Sequence, residues 1–90
     1  MRFAYDITDE NGAVTHVVTK PSDLIRLERR FEVSVGEMFM VKNPKLEHVW
    51  FLAWCALKRE NPQTPEFDEW MDTVGDVEAN DPEDDAAPLG

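Results

Sequence analysis

Two histidines and one cysteine are the side chains of this 90-residue chain best suited to metal binding or nucleophilic catalysis. His48 and Cys55 are seven residues apart, which is two helical turns and too far for a compact pair of ligands on one helix. The sequence has no second cysteine, no glycine-rich phosphate loop and no Ser or Cys–His catalytic signature. We therefore expect no metal, no cofactor and no enzymatic activity. We interpret His16 as a partly buried residue beside Tyr5, and Cys55 as a small hydrophobic residue of the core.

Arg26, Arg29 and Arg30 form a cluster of positive charge in an otherwise acidic sequence. On a helix, spacings of three and four residues bring Arg26 close to both later arginines. Such a patch can bind an acidic surface, including the acidic tail of another copy of the chain. The alternative is a solvated helix face on which the arginines pair with Glu28 and Glu32.

Aromatic side chains are numerous for so small a chain, with three Trp and five Phe. Those of the second half are Trp50, Phe51, Trp54, Phe67 and Trp70. We expect this set to exceed what the core can bury and the exposed remainder to anchor a partner, although Trp54 is better interpreted as core. The predicted partner contacts are therefore Trp50, Phe51 and Trp70, together with the three arginines.

Residues 1–19 have the pattern of a β-hairpin. Large apolar residues alternate with small or polar ones over residues 1–7, and residues 13–19 are rich in Val and Thr. Between them, Asn11-Gly12 tolerates positive φ and favours a loop of two or four residues. Either loop length predicts that one face of the hairpin carries Phe3, Tyr5, Ile7, Val14, His16 and Val18.

Helix start signals follow the hairpin. A Pro-Ser-Asp sequence predicts a helix over residues 23–31, and residues 34–37 can cap a short one. Asn43-Pro44 predicts the start of a longer helix, apolar nearly all round, that reaches residue 59 or 60. A Thr-Pro-Glu sequence predicts a closing helix up to residue 74.

The expected fold is α+β and mostly α, with the N-terminal β-hairpin followed by three to four short helices. It forms a single domain over residues 1–76, in which the hairpin occupies 1–19 and the helical part 22–74. Residues 77–90 are expected to be a disordered acidic tail. From Gly75 onward the chain has six acids, no base and no aromatic residue, a composition that cannot offset the entropy lost on ordering.

Nineteen acids against nine bases give a net charge of −10, which opposes binding to nucleic acid and to anionic membranes. The longest apolar run, residues 49–57, is about half the length of a membrane-spanning helix. A single cysteine, and an N-terminus without an apolar segment of signal-peptide length, favour a soluble protein in a reducing, intracellular compartment.

Three segments of the helical part carry a resemblance. Residues 20–33 hold the Pro-Ser-Asp start and the arginine cluster, residues 47–59 hold the Trp-Phe-Leu-Ala-Trp sequence, and residues 67–74 begin with Phe-Asp-Glu-Trp. In this order and spacing they resemble the tail assembly chaperones of long-tailed, siphovirus-type bacteriophages, particularly those infecting actinobacteria. Cys55 departs from the family pattern, in which His is common at this position.

The resemblance implies a non-catalytic protein that binds the phage tape measure protein, keeps that long helical chain soluble and helps to recruit the tail-tube protein. It also implies a location in the host bacterial cytoplasm, absence from the mature virion, and a second, longer product made by a programmed ribosomal frameshift. A hairpin edge and a modest core favour a homo-oligomer. The alternative function is an acidic mimic of nucleic acid that inhibits a host or defence protein, which the net charge of −10 motivates.

Overall fold

Three strands and four helices follow one another in the computed structural model, which describes residues 2–38 and 44–80. They are β1 (Ala4–Asp9), β2 (Val14–Val18), α1 (Pro21–Phe31), α2 (Val35–Met38), α3 (Leu46–Glu60), α4 (Phe67–Met71) and β3 (Val74–Asn80). The α+β class is confirmed, and the hairpin precedes the helices as expected. Helices hold just under half of the described residues, which is less than the mostly helical fold expected, because a third strand extends the hairpin into a larger sheet.

The hairpin forms with a register one residue away from the expected one. β1 and β2 pair antiparallel, with Tyr5 opposite Val17 and Asp6 opposite His16. Residues opposite each other share a face of the sheet, so Val17 lies beside Tyr5 on the buried face. The prediction that His16 lies there is wrong, and its side chain is 48% exposed on the other face.

The loop between β1 and β2 explains this register. The Asp9 N–H donates to the Ala13 carbonyl at 2.9 Å, and Gly12 adopts a φ of +89°. The loop therefore has three residues, 10–12, where two or four were expected. A change of one residue in the loop moves every side chain of β2 to the opposite face.

β3 is an element that the sequence analysis missed. It pairs antiparallel with β1 and gives the sheet the order β2-β1-β3. A bulge opposite Thr8 and Asp9 brings the two backbones close at Gly75, where a Cβ atom would lie 3.1 Å from the Asp9 carbonyl oxygen.

The end of β3 changes the expected domain boundary. Residues 77–80 were expected in the tail but belong to the sheet. They pair with β1 through the backbone, and Val77 is the one buried apolar side chain of this strand. The rest of the expected tail, residues 81–90, lies outside the described residues.

One face of the sheet packs against α3 and forms the core with it. The buried side chains on this face are Tyr5, Ile7, Val17 and Val77. α3 also contacts α1 and α4. This central position fits the prediction from its apolar composition, and Leu52, Ala53 and Ala56 have no exposed surface.

The helix boundaries differ from the expected ones by a few residues. α1 begins at Pro21 with Lys20 as its N-cap, where Ser22 was expected to cap a helix from residue 23. α2 is the short helix that the residues after Val33 can cap. α3 begins at Leu46, and the expected cap, Asn43, lies outside the described residues. α4 ends at Met71, because β3 begins three residues later.

Candidate functional site

α3 carries the ring contacts that join α1 and α4 into one unit. The Phe51 ring meets Phe31 of α1 edge-on at 5.4 Å between centroids and Phe67 of α4 at 5.2 Å. The Trp50 ring meets Trp70 of α4 at 6.1 Å. Edge-to-face contacts of this kind stabilise a packed aromatic cluster beyond its buried area. The three segments that carry the resemblance therefore lie in one packed helical layer.

Two of the three predicted aromatic partner contacts lie in the core of this layer. Phe51 is 5% exposed and Trp70 is 4% exposed, whereas Trp50 is partly buried. The expectation that the rings exceed the capacity of the core is wrong for Phe51, Phe67 and Trp70, because the helical layer and the sheet enclose them together. A buried ring cannot contact a partner while the domain stays folded, so Phe51 and Trp70 do not form a binding surface.

The exposed large apolar side chains of the described residues are Val14, Ile25 and Leu46, at 62%, 49% and 65% exposure. Ile25 lies in a groove of about 340 Å³ between α1 and α2. The groove is lined by Pro21, Leu24, Ile25, Glu28, Val35 and Gly36. An exposed apolar side chain and a concave surface therefore coincide at this groove.

The three predicted arginines have different surroundings on α1. Arg26 donates to Asp23 Oδ1 at 3.2 Å, and its side chain is 55% exposed. The Arg30 guanidinium lies over the rings of Phe31, Phe51 and Phe67 at 5.3–5.6 Å, which is cation–π range. Arg29 is exposed.

Asp23 is a fully buried carboxylate that ties α1 to α3. Its Oδ2 accepts hydrogen bonds from Arg59 Nη2 at 2.8 Å and from the Lys20 N–H at 2.9 Å. Arg59 also donates to the Val18 carbonyl at 3.2 Å, which extends the junction to the end of β2. A buried charge needs such partners, because transfer from water without them costs several kcal/mol.

A cleft of about 280 Å³ opens above this junction. It is lined by Arg26, Trp54, Cys55, Lys58 and Arg59. Lys58 Nζ donates to the carbonyls of Pro62 and Thr64 and lies 3.4 Å from Glu66 Oε2. Basic side chains from α1 and α3 therefore surround a shallow opening on the helical layer.

Cys55 forms part of the floor of this cleft as a buried free thiol. Burial, reinforced by the nearby Asp23 carboxylate, raises the pKa of the Cys55 thiol to about 12. The thiolate is the reactive form of cysteine, so this side chain is chemically inert near neutral pH. Its interpretation as a small core hydrophobe agrees with this environment.

The two histidines lie in different surroundings. His48 is buried and packs on the Phe31 ring at 4.6 Å between centroids. His16 lies on the open face of the sheet, which is the face opposite Tyr5, Ile7 and Val17. Its Nδ1 lies 2.8 Å from Asp6 Oδ1. Hydrogen bonds with Asn80 and His16 hold the pKa of the Asp6 carboxyl below its usual value. No three His, Cys, Asp or Glu side chains in residues 2–38 and 44–80 are grouped closely enough to hold a metal ion.

Sequence reasoning missed the role of Asp23 and the contribution of Lys58 and Arg59 to a basic cleft. The i, i+3 spacing of Asp23 and Arg26 was the available signal for a pair on one helix, and the sequence analysis did not use it. Nothing in the sequence indicated that Arg59, 36 residues after Asp23, completes the junction.

None of the helices in the described part of the chain is long and apolar enough to cross a membrane. Comparisons with protein-family models, curated proteins and solved structures found no match to this chain.

Proposed function

We propose that this chain is a tail assembly chaperone of long-tailed bacteriophages. It binds the tape measure protein stoichiometrically and without catalysis, and keeps that helical chain soluble in the host cytoplasm until the tail is built. The observation that carries the proposal is the packing of α1, α3 and α4. The three segments that resemble the chaperone family form one layer, joined by the Asp23–Arg59 ion pair and by the Phe51 and Trp50 ring contacts.

The groove between α1 and α2 is the proposed contact for the client. A long helix that has not yet assembled exposes an apolar stripe, and an amphipathic helix binds by laying that stripe in an apolar groove. Ile25 supplies exposed apolar area at the groove, and Glu28 supplies a charged group at its rim. Of the contacts predicted from sequence, Arg26, Arg29 and Arg30 are exposed on α1, although none of them lines this groove.

The proposal includes several copies of the chain on one client, because a groove of this size covers only a few client residues. It also includes recruitment of the tail-tube protein, the longer frameshift product, and absence from the mature virion. The nucleotide sequence offers a check, since a slippery heptamer should precede the stop codon.

Co-expression in bacteria tests the proposal with a matched pair of variants. The wild-type chain should keep the tape measure protein of the same phage in the soluble fraction. Ile25→Asp places a charge in the groove and should return most of the client to the pellet. Leu46→Asp changes a more exposed apolar residue, at the start of α3 and outside the groove lining, and should retain the wild-type effect. A client that precipitates equally with and without the chain contradicts the proposal.

The second candidate is an acidic mimic of nucleic acid, and β3 is the observation that favours it. By register, Asp76 and Glu78 lie on the open face of the sheet with Asp6, so part of the acid-rich segment is fixed on a folded surface. A mimic should compete with DNA for a basic partner and lose that competition in the double variant Asp76→Asn, Glu78→Gln. A tail assembly chaperone should keep its client soluble with the same two changes.

A further inference from the structure

Four basic side chains gather where α1 passes α3. Arg26, Lys58 and Arg59 line the cleft, and Arg30 is close enough to act electrostatically on the Cys55 thiol at its floor. The nearby carboxylates among the described residues are the buried Asp23 and the exposed Glu60 and Glu66, which is three negative charges against four positive ones. The cleft therefore has more positive than negative charge, in a protein whose net charge is −10.

The buried carboxylate cannot neutralise this excess. Asp23 already accepts hydrogen bonds from Arg26, Arg59 and the Lys20 N–H, so two guanidinium groups share one negative charge. The Arg26 side chain is 55% exposed, which leaves its charge available at the surface. Charge-assisted hydrogen bonds from such groups select carboxylate or phosphate ligands.

The size of the cleft selects a narrow ligand. A volume of about 280 Å³ admits a few side chains of an extended segment and excludes a folded domain. The partly buried Trp54 ring supplies an apolar wall beside the basic groups. An extended peptide that carries several carboxylates fits both the size and the charge of the cleft.

Residues 81–90 of this chain have that chemistry, and their attachment point is close to the cleft. They carry four carboxylates and no base. β3 ends at Asn80, which pairs with Ala4, and Ala4 pairs on its other side with Val18, whose carbonyl accepts a hydrogen bond from Arg59. Two strand spacings, about 10 Å, therefore separate Asn80 from the strand that Arg59 contacts. Ten extended residues reach up to about 33 Å.

We propose that the basic cleft between α1 and α3 binds the acidic segment 81–90 of the same chain. This site is distinct from the proposed client groove between α1 and α2, so it stands or falls independently of the chaperone function. Binding within one chain is favoured over binding between copies, because a short tether gives an effective concentration of about a millimolar.

A labelled peptide with the sequence of residues 81–90 tests the proposal by fluorescence anisotropy. The receptor is the full chain with its own four tail acids neutralised: Asp81→Asn, Glu83→Gln, Asp84→Asn and Asp85→Asn. This receptor should bind the peptide, and added salt should weaken the binding. The wild-type chain should bind the peptide at least about tenfold more weakly, because its own tail occupies the cleft. Equal binding to both proteins, or to neither, overturns the proposal.

Two cleft variants and one control, made in the neutralised-tail chain, locate the site. Arg26→Gln and Lys58→Gln should each weaken peptide binding roughly fivefold, the effect of losing one accessible charge pair. Arg29→Gln removes the same charge from α1 without touching a residue that lines the cleft, and should leave the affinity unchanged. Equal losses at all three positions would indicate attraction by net charge alone and overturn the assignment.

The solution mass of the wild-type and neutralised-tail chains separates binding within one chain from binding between copies. A wild-type dimer that becomes monomeric when the tail is neutralised would overturn binding within one chain.

Discussion

The carboxylate of Asp23 has no exposed surface, and two guanidinium groups share it, Arg26 of its own helix and Arg59 of α3. The i, i+3 pair with Arg26 can be predicted from sequence. The contact with Arg59 cannot, because it depends on how two helices far apart in the chain pack together. The ion pair that joins α1 to α3 is therefore evident only from the structure.

Replacement of Asp23 by Ala should lower the free energy of unfolding by about 3 kcal/mol, because it leaves Arg59 without its carboxylate. This value is at the lower end for a broken buried ion pair, since the Arg59 side chain is still 25% exposed and can be partly hydrated. Urea unfolding followed by circular dichroism measures the loss. Asp68→Ala removes an exposed carboxylate of α4 and should stay within about 0.5 kcal/mol of wild type. A loss below about 1 kcal/mol for Asp23→Ala would show that the buried pair does not hold the helices together.

Cys55 should react with an aromatic disulfide reagent at pH 8 far more slowly in the folded chain than in denaturant. The fold buries this thiol and raises its pKa to about 12, whereas an unperturbed thiol has a pKa of about 8.5. Absorbance of the released thiolate gives both rates. Equal rates with and without denaturant would mean that Cys55 is accessible, in conflict with its place in the core.

At the scale of elements, alternation of apolar residues identified β1 and β2, and capping signals identified the helices to within a few residues. The prediction of which face of β2 is buried is wrong, because a three-residue loop, rather than one of two or four residues, sets the register of this strand. β3 was missed because strands are usually recognised by apolar alternation, and among the side chains of this one only Val77 is buried. An edge strand gains much of its stability from backbone pairing, which composition does not reveal.

Val77→Asp distinguishes an ordered β3 from an acidic tail. Val77 is 9% exposed, so a carboxylate at this position must be buried without a partner or force the strand away from β1. We expect a loss of about 3 kcal/mol in thermal or urea unfolding. Ala79→Asp introduces the same charge two residues later at an exposed position of β3 and should have a small effect. Equal, small effects of both changes would mean that β3 contributes nothing to the fold.

The open face of the sheet should contribute to stability in a pH-dependent way through Asp6. Its hydrogen bonds with Asn80 and His16 lower the pKa of the folded-state carboxyl. A lowered folded-state pKa gives stability that is present above the unfolded value of about 4 and is lost as the pH falls through the folded-state value. Asp6→Asn should therefore be less stable than wild type at pH 7, and the difference should shrink at pH 2–3. Urea midpoints across this range test it, and a difference that grows towards low pH would contradict it.

At the scale of the whole molecule, the sequence predicted the α+β class, and the proposed function rests on a resemblance that spans its helical layer. The prediction of which apolar side chains are exposed is wrong in part. Rings expected at the surface are enclosed by the sheet and helices together, and Ile25 and Leu46, which were not singled out, are exposed. Pattern reasoning identifies which face of a helix is apolar, but the number of partners covering that face follows only from tertiary packing.

The most direct test of the proposed function is the mass of a purified complex between this chain and the tape measure protein of the same phage. The two proteins would be co-expressed, purified through a tag on the tape measure protein, and analysed by size-exclusion chromatography with light scattering. The account predicts one stable species in which several copies of this chain accompany each client, with fewer copies retained by the Ile25→Asp variant. Separate elution of the two proteins, with the tape measure protein alone remaining dispersed, would contradict it.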